Sequence, residues 1–195
     1  MPSYFQDGMW EEIRFDIDPG VEPDVTGAMQ DLSLIEDGYV DAVYSSHNIE
    51  HVSSFEVPGV LAGFRRVTND DGFLVISCPD MLSVAQAIAS GALEETLYQS
   101  PAGPISALDI MYGHQGAISQ GNVYMAHKTA FTAHTLAKHL MDAGFQRVDV
   151  VRDRVFGLHA IAFVHHKDGF SDRLADEVLP GREHQLELLL FRSDV

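Results

Sequence analysis

Basic residues are scarce in this chain: 12 Lys and Arg stand against 29 Asp and Glu, a formal net charge of −17. Phosphate backbones and anionic headgroups are bound mainly by neutralising their charge with Lys and Arg, so a surface this acidic repels both. Nucleic acid and membrane are not the expected partners. Cysteine is almost missing. Cys78 stands alone, so no intrachain disulfide can form and an oxidising compartment is not implied. No apolar run approaches the length needed to cross a bilayer. The opening residues, Met1-Pro2-Ser3-Tyr4-Phe5-Gln6-Asp7, have neither the basic nor the apolar part of a signal peptide. The expected location is the cytoplasm. Internal repeats and low-complexity tracts are absent as well.

What is present suits one α/β domain over residues 1–195, with 46% hydrophobic residues to build its core. Residues 12–17 alternate polar and apolar and read as a strand, stopped by Asp18-Pro19-Gly20. A short extended piece follows around Asp24 to Thr26. Residues 40–45 form the next strand candidate. The unbroken apolar run 73–78, introduced by Asp71-Gly72 and ended by Pro79, suits a strand covered on both faces. Between these two, Val57, Val60, Leu61, Phe64 and Val67 recur at helical spacing. Strand, helix, strand is a βαβ unit. A helix is expected over 81–91, then loops over 94–121 around a short helix at 107–112. Thr132 reads as the N-cap of a late helix, with Gly144 at its left-handed end. Residues 146–151 and 156–164 are two closing strands, near enough to pair antiparallel. A polar extension, 168–195, ends in a helix or an edge strand at 186–191.

Three stretches of this order resemble class I S-adenosylmethionine-dependent methyltransferases, most closely the type 11 branch. The first is Ile13-Arg14-Phe15-Asp16-Ile17-Asp18-Pro19, with an acidic residue at a strand end. The second is Asp41-Ala42-Val43-Tyr44-Ser45-Ser46-His47-Asn48-Ile49-Glu50-His51-Val52, followed by Arg66-Val67-Thr68-Asn69-Asp70-Asp71-Gly72-Phe73-Leu74. The third runs from Phe131-Thr132 through Leu136 to Ala143-Gly144-Phe145. The resemblance implies a Rossmann-like three-layer sandwich, its sheet mostly parallel with an antiparallel last strand. It also implies S-adenosylmethionine as cofactor. Asp16 matches the position whose carboxylate accepts from the ribose hydroxyls, with Ile17 and Asp18 beside it. The adenine is expected near Met29, Gln30, Asp31 and Leu32, and the methionine part above Ser45 and Ser46. The family opens with a strand and a glycine-rich turn that cradles that methionine end. Only Gly8 precedes the Asp16 strand here, so the first strand is expected to be absent and the chain to be shortened at its N-terminus.

Histidines supply the remaining chemistry. His47-x-x-Glu50-His51 has the spacing of a zinc-peptidase motif, which needs both rings on one face of a helix. Here it follows a strand directly and is cut short by Pro58-Gly59, so no metal is expected. His114 and His127 flank the glycine-rich loop region that faces the acceptor in the resembled fold. Imidazole titrates near neutrality, which makes these two the candidate catalytic bases. His134 and His139 are expected to face solvent on the late helix, and His165-His166 ends the last strand with no obvious ligand partner. The expected activity is methyl transfer to a small-molecule or glycan acceptor. Two other readings stand beside it: a degenerate domain that binds a partner or forms a homodimer through the strand edge near Phe15, and a zinc hydrolase through His47 and His51.

Overall fold

In the computed structural model, which describes residues 3–6, 8–179 and 188–192, strand β3 (Val40–Ser46) runs parallel to β4 (Thr68–Pro79). They follow the short strands β1 (Phe15–Asp16) and β2 (Val25–Thr26) and are joined by helix α1 (Val57–Val67). β7 (Arg147–Arg152), β8 (Gly157–Phe163) and β9 (Leu188–Arg192) complete a five-stranded sheet in the order β3-β4-β8-β7-β9. β8 is antiparallel to both β4 and β7, and β9 is antiparallel to β7. β3, β4 and β7 therefore point one way, with β8 reversed between them. This is the expected Rossmann-like arrangement. Of the two readings left open for 186–191, a helix or an edge strand, the described part is the strand β9. Residues 186 and 187 lie outside the described residues.

The apolar run of β4 explains the layers. Successive side chains alternate between faces. Leu74, Ile76 and Cys78 go to one core with Val60, Leu61 and Phe64 of α1 and with Leu136 and Leu140 of helix α5 (Ala133–Asp142). Phe73 and Val75 go to the other, against Leu174, Ala175 and Val178 of helix α6 (Phe170–Val178) and the aromatic turn of Tyr4, Phe5 and Trp10. Burying both faces is what lets the strand dispense with polar alternation. α5 begins as expected: Thr132 and Thr135 exchange a reciprocal cap. Gly144, at φ 101°, takes up the left-handed conformation after it. α6 is an addition to the sequence reading; its few apolar residues sit at helical spacing inside a polar stretch.

The expected strand at 12–17 shrinks to β1, paired in parallel with β2 in a ribbon apart from the main sheet. Among the described residues no strand pairs with the outer edge of β3. A ladder with a partner on one side only fades quickly, and Arg14 N turns instead to the Asp24 carboxylate at 2.7 Å. Between ribbon and sheet runs a groove of about 320 Å³, bordered by Phe15 and Asp16 on one bank and Ala42 and Tyr44 on the other.

Beyond the carboxyl end of β4 lies a small cap. Helices α2 (Met81–Ala89) and α3 (Ala107–Tyr112) pack through Val84, Ala107 and Ile110. Two elements replace loop expected over 94–121: a hairpin of β5 (Thr96–Ser100) and β6 (Gly103–Ser106), and the short helix α4 (Gln115–Ser119). The glycines and prolines read as loop residues are partly the hairpin turn, where Gly103 takes φ 118°. Among the described residues no helix is long and apolar enough to cross a membrane.

Candidate functional site

Ligands of open α/β sheets gather beyond the carboxyl ends of the parallel strands, and here those ends converge on a polar cluster. β3 finishes in Ser45 and Ser46. The Ser46 hydroxyl lies 2.9 Å from that of Ser77, tying the ends of β3 and β4 together. Ser45 is 3% exposed, and its Oγ has no hydrogen-bond partner. His47 then turns the chain at φ 52°, rare for a residue with a side chain. A single 3-10 turn follows, Ile49–His51.

That turn carries Glu50, a carboxylate only 1% exposed. Its Oε1 accepts from His47 Nδ1 at 3.2 Å, while Oε2 has no partner. The carboxylate beside His47 raises that ring's pKa above its ordinary value. The Glu50 carbonyl accepts from the amides of Lys128 and Thr129 at 2.8 and 3.2 Å. The segment 123–129 is thereby fastened across the end of β3. His51 Nδ1 donates to the Ala126 carbonyl at 3.2 Å, and His127 Nδ1 to that of Ile110 at 2.7 Å. The two rings meet edge to face, 4.9 Å between centroids. Burial lowers the pKa of His127, so the ring is neutral at neutral pH.

Close packing keeps the segment in place. Gly113 has φ 92°, and a Cβ there would stand 1.8 Å from the Met125 carbonyl oxygen. At the end of β4, the buried Asp80 caps α2 through the Leu82 amide at 3.1 Å and meets Arg152 Nε at 3.1 Å.

The residues singled out from sequence fall into two groups. Asp16 is exposed on the groove at the end of β1; its Oδ1 accepts from the Asp18 amide at 2.8 Å. The Gly27 amide donates to the Asp16 carbonyl at 2.9 Å, so the turn carrying Met29 to Leu32 starts beside it. Ile17 is exposed. Met29 packs on the core, and the Gln30 amide reaches Glu56 at 3.3 Å. Asp31 accepts from the Ser33 amide at 3.0 Å; hydrogen bonding from the Ser33 side chain first, and from this amide second, holds its carboxyl below the usual range. Leu32 is buried, with its side chain in the core against α1. The second group is Ser45 and Ser46 at the end of β3 and His127 on the segment that backbone hydrogen bonds fasten to Glu50.

His114 does something else. Its Nδ1 accepts from the Ala117 amide at 3.2 Å and caps α4, which occupies one ring nitrogen in a structural bond. The His47-x-x-Glu50-His51 stretch is not an α-helix, so its histidines do not share a helix face. His47 turns to Glu50, and His51 turns to His127. The sequence reading missed the pairing of His51 with His127, two rings 76 positions apart with no local pattern to join them. It also missed the burial of Glu50. A polar triplet directly after a strand was the only signal for either.

Residues 11–76 match the family described as "Methyltransferase domain". No curated protein matches the chain. Among solved structures, the PH0226 protein from Pyrococcus horikoshii OT3 is similar at 13% identity, over 83% of this chain and 74% of that one, with a TM-score of 0.54. A SAM-dependent methyltransferase from Archaeoglobus fulgidus is similar at 15% identity, over 82% and 79%, with a TM-score of 0.52. Identities this low show a shared fold. Against a third structure, a possible exported protein from Bordetella parapertussis, this chain covers only 51% of the other's length, at 17% identity over 76% of its own and a TM-score of 0.48.

Proposed function

We propose that this chain is a class I S-adenosylmethionine-dependent methyltransferase of the type 11 branch, catalysing methyl transfer to a nucleophile on a small molecule or glycan; the match of residues 11–76 to the methyltransferase-domain family supports this reading. S-adenosylmethionine supplies a methyl group already activated on a sulfonium. The chain's task is then to hold donor and acceptor in line.

One observation carries this reading: the Asp16 carboxylate stands open at the end of β1, on the border of the groove. With Oδ1 held by the Asp18 amide, Oδ2 is left to accept from the ribose hydroxyls. The turn beginning at Gly27 would receive the adenine, with Met29 as an apolar side and Asp31 accepting from the exocyclic amine. Leu32 contributes only backbone, since its side chain is in the core. The unpartnered Ser45 hydroxyl and Ser46 fit beneath the methionine end, whose glycine-rich cradle has no counterpart among residues 8–14. Where the acceptor holds a proton, His127 is the better base of the two candidates. Its ring is neutral, and Nδ1–H is held by the Ile110 carbonyl, so Nε2 keeps a free lone pair.

Calorimetry with S-adenosylhomocysteine tests the reading. The unmodified chain binds, and Asp16→Ala weakens binding about 10- to 100-fold, the cost of losing hydrogen bonds to a charged group. Absence of heat at millimolar ligand would end the enzymatic reading for this chain.

A further inference from the structure

We propose that Glu50, His51 and His127 form a site for a divalent transition-metal ion of the zinc class. One ligating atom from each, two imidazole nitrogens and a carboxylate oxygen, lie within 4.8 Å of one another. Donors on a tetrahedral ion at about 2.0–2.1 Å stand about 3.4 Å apart, so closing the site takes at most about 1.4 Å of side-chain movement.

The surroundings already hold each group in its ligating form. A carbonyl can only accept, so the bonds from His51 Nδ1 to Ala126 and from His127 Nδ1 to Ile110 put the proton on Nδ1 of both rings. Each Nε2 is then a lone-pair donor with its ring orientation set, the arrangement that outer-shell carbonyls impose on metal-bound histidine. The strongest sign comes from the carboxylate. Glu50 is 1% exposed, yet Oε2 has no partner, and a buried carboxylate oxygen without one carries a desolvation penalty that a cation would offset.

Two imidazoles and one carboxylate are a borderline donor set. They select Zn²⁺, Co²⁺ or Fe²⁺ over Ca²⁺ and Mg²⁺, which prefer oxygen. Three protein ligands also leave a position for water or for an acceptor oxygen. The site differs from the linear His47-x-x-Glu50-His51 motif: His47 bonds to Glu50 Oε1 and steers the carboxylate, and the third ligand comes from position 127. It also bridges the end of β3 to the segment 123–129, so an occupied site would latch the two. An ion takes the same His127 lone pair that would accept a proton, so the ligand role and the base role exclude each other.

Chelator-stripped full chain titrated with Co²⁺ and Zn²⁺, with no methyl donor present, separates this proposal from the methyl-transfer reading. The expected result is one equivalent of Co²⁺ with the visible absorption of a four- or five-coordinate ion, displaced by Zn²⁺, and a thermal transition raised by Zn²⁺. His51→Ala and His127→Ala each weaken binding at least about tenfold, while His165→Ala on the exposed tail leaves it unchanged. Glu50→Gln keeps the shape of the side chain and loses the ion. Circular dichroism checks that it still folds, and the two histidine variants carry the test if it does not. Absence of stoichiometric ion, or binding that survives both His51→Ala and His127→Ala, overturns the proposal.

Discussion

Arg147 and Asp149, two positions apart on β7, face each other in paired hydrogen bonds, Nε to Oδ1 at 2.9 Å and Nη2 to Oδ2 at 2.6 Å. Both are buried. Arg147 also reaches Asp172 on α6 at 2.7 Å and lies 5.7 Å from the centre of the Phe163 ring. The guanidinium thus fastens helix to sheet. Asp172 still faces the guanidinium when Asp149 is removed, but the two buried hydrogen bonds to Asp149 are lost, so Asp149→Ala should destabilise by about 1.5–3 kcal/mol. Urea unfolding followed by circular dichroism measures it. A loss under about 1 kcal/mol would show that water reaches the guanidinium.

The third member of that contact gives a pH dependence. Hydrogen bonding and charge attraction from Arg147 hold the Asp172 carboxyl below its ordinary value. A depressed carboxylate adds stability above its unfolded value and loses it as pH falls through the folded value. Asp172 therefore helps at neutrality and its help fades from about pH 4 downward. The melting temperature of Asp172→Asn should fall less steeply with acid than that of the parent chain. Parallel acid profiles would show that this contact is too solvent-exposed to matter.

Gly113→Ala should disturb the segment over the end of β3 and leave the core alone. The φ of 92° is strained for alanine, and the added Cβ meets the Met125 carbonyl oxygen. Hydrogen exchange should quicken at the amides of Lys128 and Thr129, which bond to the Glu50 carbonyl. Protection there equal to the parent's would show that the segment holds its place without the close approach at position 113.

Cys78 should be inert in the native chain. It is wholly buried in the core, and burial pushes its thiol pKa well up, so almost no thiolate exists to react. A disulfide reagent should label it only as fast as the protein opens, with the rate rising steeply in denaturant. Rapid labelling of folded protein would show that the sheet opens locally at the end of β4.

Much of this architecture was readable beforehand where local pattern and burial agree. The 3.6-residue spacing of Val57, Val60, Leu61, Phe64 and Val67 is the buried face of α1. The continuous run from Phe73 to Cys78 is a strand covered on both sides. α6 and the β5–β6 hairpin escaped, because four apolar residues in a polar tail and short strands interrupted by Pro101, Gly103 and Pro104 are weak periodic signals. The strand at 12–17 was overcalled for the opposite reason: its alternation is real, but a strand needs a neighbour to bond with, and only β2 supplies one.

For the site, the sequence selected Asp16, Ser45 and Ser46 through the family resemblance, and His127 through its place beside the glycine-rich loop region. Tertiary structure alone decided that Glu50 would be buried with an unused oxygen and that His51 and His127 would meet across 76 positions. Hydrophobic spacing is a property of neighbours along the chain, so composition and order reveal it. Which polar groups share one small volume depends on where separate segments are pinned, and here backbone hydrogen bonds from Lys128 and Thr129 to Glu50 do the pinning.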